Sequence, residues 1–155
     1  MERVFFLNRN TTLNEITNSE DLVVYHSCSF NGDFLERIKN RPDKNIHAGS
    51  FFQAVWRADY KVNDNEDYPV AYIYELVLSP KKICPELIPD SGYDVEQSEE
   101  DKFKPEYDLL VYHNTGEGYS HENNLSVIIL DPKIIKSVKL HCSVNGYQAT
   151  ELLYK

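Results

Sequence analysis

Apolar positions in this chain fall in short blocks between polar runs, and the period of each block predicts its element. "RVFFL" at the N-terminus predicts a short strand, and "NRNTTLNEITNSED" is polar and turn-like, with room for one helical turn. "LVVYH", residues 22 to 26, is β-branched and aromatic and predicts a strand. In "SFNGDFLERIKNRPDK" Phe34, Leu35 and Ile38 fall at i, i+1 and i+4, a short amphipathic helix that must end before Pro42. "GSFFQAVWRADYK" is the clearest helix: Ser50 is a good N-cap, Gln53 completes a capping box, and Phe52, Val55, Trp56 and Tyr60 are expected on one face. "NDNEDYP" reads as a loop, and "VAYIYELVL", residues 70 to 78, is nearly continuous in β-formers, as expected of a central strand. "YDLLVYH" and "LSVIIL" predict two more strands, and Asp131 before Pro132 starts a helical turn in "DPKIIKS". "VKLHCSV" and "YQATELLY" flank Asn145-Gly146, a hairpin signal. Six or seven strands with two or three short helices make an α+β fold with a mainly antiparallel or mixed sheet. With no internal repeat or long linker, one domain is expected over residues 1 to 155.

Composition adds limits. A chain of 155 residues with 41% hydrophobic and 26% charged residues can bury a core without staples. Eleven tyrosines and seven phenylalanines suit a core and also a ligand cleft. The formal net charge of -9 makes nucleic acid a poor partner, because such binding neutralises phosphates with Lys and Arg. It leaves room for a small phosphorylated ligand held by a few local donors. Residues 86 to 101 carry seven acidic groups and no basic one, and are expected to form an exposed loop. Cys28, Cys84 and Cys142 are few, odd in number and far apart, which reads as reduced thiols. The apolar run of "MERVFFLNRN" is too short for a signal peptide, and no stretch approaches the ~20 apolar residues of a membrane span. A cytoplasmic location without membrane contact is expected.

Three stretches carry candidate chemistry. "VVYHSCS" ends a strand with hydrogen-bonding groups, where His26 can hold a sugar hydroxyl or simply bond to backbone. Cys28, two residues on, raises a Cys-His pair, but no third orienting group is evident. "NIHAGSFFQAVWRA" leads a Gly-Ser pair into a capped helix whose free N–H groups suit an anion, without the glycine spacing of a P-loop or dinucleotide fingerprint. Phe51 and Phe52 can stack on a flat heterocycle or belong to the core. "HNTGEGYSHE" holds His113, Glu117, His121 and Glu122, in a spacing that matches no zinc motif, so no metal is expected. Glu117 sits between Gly116 and Gly118 directly after a strand, where flanking glycines allow close approach of a ligand. The residues alone leave a solvated loop glutamate and a catalytic one both open.

In order along the chain, these stretches resemble ADP-ribosyltransferase-like domains of phage and bacterial type. "VVYHSCS" is similar to their first strand motif, usually Tyr-His-Gly-Ser/Thr. "IHAGSFFQAVWRA" is similar to a His-x-Gly-Thr segment followed by a helix with Gln-Ala and a basic residue. "YDLLVYHNTGEG" with "LSVIILDPKIIKS" resembles the closing motif: a Tyr-Asp-Gly strand, Tyr-x-Asn, a Glu, then a strand ending in Asp-Pro and Ile-Lys-Ser. The resemblance covers roughly residues 22 to 60 and 107 to 137. It implies an α+β core of two packed sheets, mixed or antiparallel, with a few short helices. It implies NAD as substrate, no metal, and a protein or small-molecule acceptor for a mono-ADP-ribosyl group, as in a toxin or phage effector. Glu117 matches the catalytic glutamate and His26 the histidine on a ribose hydroxyl of NAD, with Tyr25 and Ser27 beside it. His47, Gly49 and Ser50 match the second segment. Tyr25, Phe51 and Phe52 are candidates for the nicotinamide wall, and Glu122 is the reserve carboxylate. Ser27 replaces the usual glycine after the histidine, and Leu109 the glycine after Tyr-Asp. These departures allow a module that keeps the fold, binds a nucleotide or a protein, and has lost the reaction. RNA phosphate transfer, performed by some relatives of the fold, fits poorly with the net charge.

Overall fold

The computed structural model describes residues 4–64, 69–88, 97–119 and 121–154. Two four-stranded mixed sheets pack face to face, with a few short helices around them. The first has the order β1 (Val4–Phe6), β2 (Asp21–Cys28), β4 (Ala71–Leu78), β8 (Ile135–Val144). Here β1 runs parallel to β2 and the other pairs are antiparallel. The second has the order β3 (Ile46–Ala48), β7 (Leu125–Ile129), β6 (Leu109–His113), β5 (Ile83–Ile88), with β5 parallel to β6.

The period-2 alternation of strands builds three apolar layers. Leu22, Val24, Leu76 and Leu78 of the first sheet meet Leu109, Val111, Val127 and Ile129 of the second, forming the central core. On the outer face of the first sheet, Val23, Tyr25, Ala71 and Ile73 pack on Ala54, Val55 and Ala58 of helix α3 (Phe51–Asp59) and on Ala149 and Leu153 of α5 (Gly146–Leu153). Leu110, Tyr112, Ile128 and Leu130 form the outer layer of the second sheet with Cys84. Because β2 and β4 are covered on both faces, they read as nearly continuous apolar runs. As expected, β4 lies inside its sheet.

The local signals are realised to different degrees. Helix α1 (Leu13–Thr17) is the expected helical turn, closed by a capping box of Thr12 and Glu15. Helix α2 (Phe34–Lys39) stops before Pro42, capped by Asp33. Ser50 and Gln53 form the capping box of α3. The buried face of α3 is not the expected one: Gln53, Ala54, Val55 and Ala58 are buried, whereas Phe52 and Trp56 are half-buried and Tyr60 is exposed. Small Ala54 and Ala58 let the helix sit close to the sheet, and the large rings are displaced to its flank.

The expected hairpin at Asn145-Gly146 is instead a helix start. Asn145 accepts from the Gln148 N–H at 2.9 Å, and Gln148 Oε1 accepts from the Asn145 N–H at 2.9 Å. Asparagine serves both turns and N-caps, and the glutamine three residues on decides for the helix. The turn at Asp131 and Pro132 is a 3₁₀ turn over Pro132–Ile134. The acidic loop expected over residues 86 to 101 is corrected at both ends. Residues up to Ile88 belong to β5, and Gln97–Asp101 form helix α4, with Glu100 buried. Residues 89–96, and 65–68 of the expected loop at residues 63 to 69, lie outside the described residues.

Candidate functional site

Among the described residues, a backbone bridge joins the two sheets. Beyond β3, Gly49 exchanges two backbone hydrogen bonds with Tyr25 of β2, at 2.7 and 2.9 Å. Glycine is needed there for space, because a Cβ on residue 49 would lie 2.1 Å from Gln53 Oε1. Beside this seam opens a cleft of about 650 Å³, a size ordinary for small-molecule sites (~300–1,000 Å³). Strand β2 gives it Tyr25, His26, Ser27 and Cys28, and the β3 segment gives His47, Ala48 and Gly49. Helix α3 and the π-helical turn that continues it over Tyr60–Asp64 give Gln53, Trp56, Arg57, Tyr60 and Lys61. The β6 end and its loop give Tyr112, Asn114, Gly116 and Glu117, and β7 gives Ser126.

His26 is half-buried, and its Nδ1 lies 2.6 Å from the His47 carbonyl oxygen. A carbonyl only accepts, so Nδ1 carries the proton and Nε2 keeps a lone pair for a ligand hydroxyl. Burial pushes the imidazole pKa down to about 4, against the pull of that hydrogen bond and with the nearby charges of Lys61 and Arg57 adding to the fall. The ring is neutral at pH 7. Between its ordinary value of 6.5 and about 4, the unfolded chain holds a proton that the folded ring does not. The stability this ring contributes is therefore complete above pH 6.5 and is lost as the pH falls towards 4. Urea titrations of His26→Asn across that window are expected to give a flatter stability profile than the wild type. Equal slopes would remove this ring as the cause.

Glu117 is half-buried in the turn that follows β6. Its loop is shaped by two asparagines. The Asn114 side chain accepts from the Gly116 N–H at 3.2 Å, and Asn124 Nδ2 donates to the Tyr119 carbonyl at 2.6 Å. Gly118 has φ +149°, and a Cβ there would meet the Asn124 side chain at 2.1 Å, so this flanking glycine is required. Gln53 ties the loop to α3: its Nε2 donates to the Asn124 carbonyl at 3.1 Å, while its Oε1 accepts from Ser126 Oγ at 3.0 Å and from the Ser50 N–H at 3.0 Å. One helix cap thus supports both sides of the cleft.

Arg57 and Lys61 bring two positive groups to the cleft of an acidic protein. They are four residues apart, on one face at helical spacing. Burial lowers the pKa of Lys61, and the Arg57 charge adds to the effect. Ser27 is 8% exposed, and its buried Oγ has no hydrogen-bond partner among the described residues. Cys28 is held as a thiol: burial raises its pKa, and its Sγ donates to the Phe30 carbonyl at 3.7 Å.

Of the candidate site residues named from the sequence, Tyr25, His26, Ser27, Cys28, His47, Gly49 and Glu117 line the cleft. Ser50 does not, because it is buried and its hydroxyl accepts from the Gln53 N–H. Phe51 and Phe52 do not line it either. Phe51 packs edge-on against Tyr25 and His141, and Phe52 against Trp56, with Arg9 4.4 Å above its ring. The cleft's rings are instead Tyr25, Trp56, Tyr60 and Tyr112. The Tyr25 hydroxyl donates to Glu75 at 3.1 Å, and burial together with that carboxylate pushes its pKa up to about 12. Glu122, the reserve carboxylate, is buried in an ion pair with Arg9 at 2.8 Å, away from the cleft lining. Leu109, where the resemblance implies glycine, is a fully buried core residue of β6. Gln53 is read in the sequence only as a helix cap, Arg57, Tyr112 and Asn114 stand there only as parts of the quoted motifs, and Lys61 is not singled out. The i, i+4 spacing of Arg57 and Lys61 was the available signal for those two.

Among the described residues, no group of three or more His, Cys, Asp and Glu is placed to hold a metal ion. No protein-family model, curated protein or solved structure matches this chain.

Proposed function

We propose that the cleft binds NAD and transfers its ADP-ribosyl group to an acceptor, a protein or a small molecule. The observation that carries this reading is the shared cleft of His26 and Glu117, 91 residues apart in sequence, with Arg57 and Lys61 between the same walls. Each group fits one part of the dinucleotide. The neutral His26 presents Nε2 as an acceptor for a ribose hydroxyl. The two cations suit the diphosphate, which explains how an acidic chain holds an anionic ligand. The aromatic side chains suit a flat ring, each stack adding ~0.5–1.5 kcal/mol beyond burial. Glu117 supplies a carboxylate to hold the 2′-hydroxyl of the nicotinamide ribose and to stabilise positive charge on that sugar. Loss of nicotinamide resembles glycoside hydrolysis with its oxocarbenium-like transition state, where such a carboxylate acts.

The experiment is incubation with NAD labelled in the adenylate part, alone and with a cell lysate. Nicotinamide release and a labelled acceptor are expected. Ser27, a lining residue where the resemblance implies glycine, favours a second reading, a nucleotide-binding module without transfer. Binding of NAD with no nicotinamide released under any condition would select that module.

A further inference from the structure

A carboxylate, an imidazole and a phenol stand in line at one wall of the cleft, and the reading above uses none of them for chemistry. Glu100 of α4 is 2% exposed. Its Oε2 lies 2.9 Å from His47 Nε2, and its Oε1 accepts from Asn45 Nδ2 at 2.9 Å. An ionised carboxylate only accepts, so in the neutral imidazole Nε2 carries the proton and Nδ1 the lone pair. That Nδ1 is 3.4 Å from the Tyr112 hydroxyl, so its lone pair points towards that group. His47 and Tyr112 both line the cleft. A buried carboxylate on one nitrogen of a histidine, with a hydroxyl on the other, is the arrangement that makes histidine a base. An ion pair serving only to tie α4 to β3 would not need its imidazole in a ligand cleft, yet the His47 side chain is 46% exposed there.

We infer that His47 is the general base for the acceptor and that the acceptor nucleophile is a hydroxyl group. The inference rests on the NAD reading and narrows its acceptor class. In the step, the bond from C1′ of the ribose to the nicotinamide nitrogen breaks, and its electron pair stays on that nitrogen, leaving neutral nicotinamide. The hydroxyl oxygen forms the new bond to C1′, and its proton passes to His47 Nδ1, the acceptor hydroxyl taking the place of the Tyr112 hydroxyl at that nitrogen. A carboxylate acceptor would carry no proton to remove and would need no such base. Glu100 is a positioning residue: it keeps the proton on Nε2 and stabilises the imidazolium that forms.

The test measures NAD cleavage with two probes, methanol as the hydroxyl and azide as an anion that carries no proton. The wild type is expected to form both the methyl and the azido ADP-riboside. His47→Ala is expected to lose ~10²–10⁴-fold in the methyl product, the usual worth of a general base, with the azido product within a few-fold of wild type. Free imidazole should restore part of the methanol reaction. Glu100→Gln is expected to lower the methyl product at unchanged KM for NAD, again sparing the azido product. Retention of the azide reaction also shows that each variant is folded. Equal loss of both products, or loss of neither, would overturn the role of His47. If the wild type forms neither product, the NAD reading itself fails.

Discussion

Glu117→Gln is expected to lower turnover of NAD about 10²–10³-fold, equivalent to ~2.7–4 kcal/mol in the barrier, with NAD affinity within a few-fold of wild type. The amide matches the carboxylate in size and can still bond a ribose hydroxyl, so ground-state binding is spared. It carries no negative charge against the cation that develops on the sugar, and that interaction exists mainly in the transition state. The loop should keep its shape, because Asn114, Asn124 and Gly118 hold it through contacts independent of the residue-117 side chain. Single-turnover kinetics together with calorimetric NAD titration separate the two effects. Full turnover in a folded Glu117→Gln protein would remove this carboxylate from the chemistry. Glu122 would not replace it, since it is committed to Arg9.

Leu76→Ala is expected to cost ~2–5 kcal/mol of stability, against a total of roughly 5–15 kcal/mol for a domain. Leu76 is 0% exposed on β4, opposite Val24 on one neighbour and Val138 on the other, and it points into the core between the sheets. Truncation leaves a cavity that rigid strands on both sides cannot collapse. A fall in melting temperature of roughly 10 °C follows at this chain length. Leu140→Ala on the edge strand β8 is the control: that side chain is 47% exposed, and its loss should stay within ~0.5 kcal/mol. Similar losses in the two variants would contradict the assignment of the core.

The sequence was most informative where one local signal faced no competitor. β2 and β4 are covered on both faces, and their unbroken β-formers say so. The capping box at Ser50 needs only four residues to be read. Misreadings came where one residue type serves two structures, as Asn145 does. Strand β5 hid behind Pro85 and Glu86, both tolerated because it is the edge strand of its sheet. The acidic run concealed Glu100, whose burial depends on His47 and Asn45, more than fifty residues earlier. No local pattern encodes such a pairing. The rings on the α3 flank were misassigned for a related reason: periodicity located an apolar face but not the preference for alanines over aromatics at close helix–sheet contact. His26 and Glu117 stood out in the sequence as single residues. Their common cleft is a product of the seam between Tyr25 and Gly49, which joins two sheets whose strands are interleaved along the chain.

The measurement that bears most directly on the account is a crystal structure of the protein grown with NAD. The dinucleotide is expected in the cleft beside the Tyr25–Gly49 seam, with one ribose hydroxyl on His26 Nε2, the diphosphate at Arg57 and Lys61, and the nicotinamide ribose against Glu117. NAD bound elsewhere on the molecule, or lying in the cleft with its nicotinamide ribose out of reach of Glu117, would contradict it.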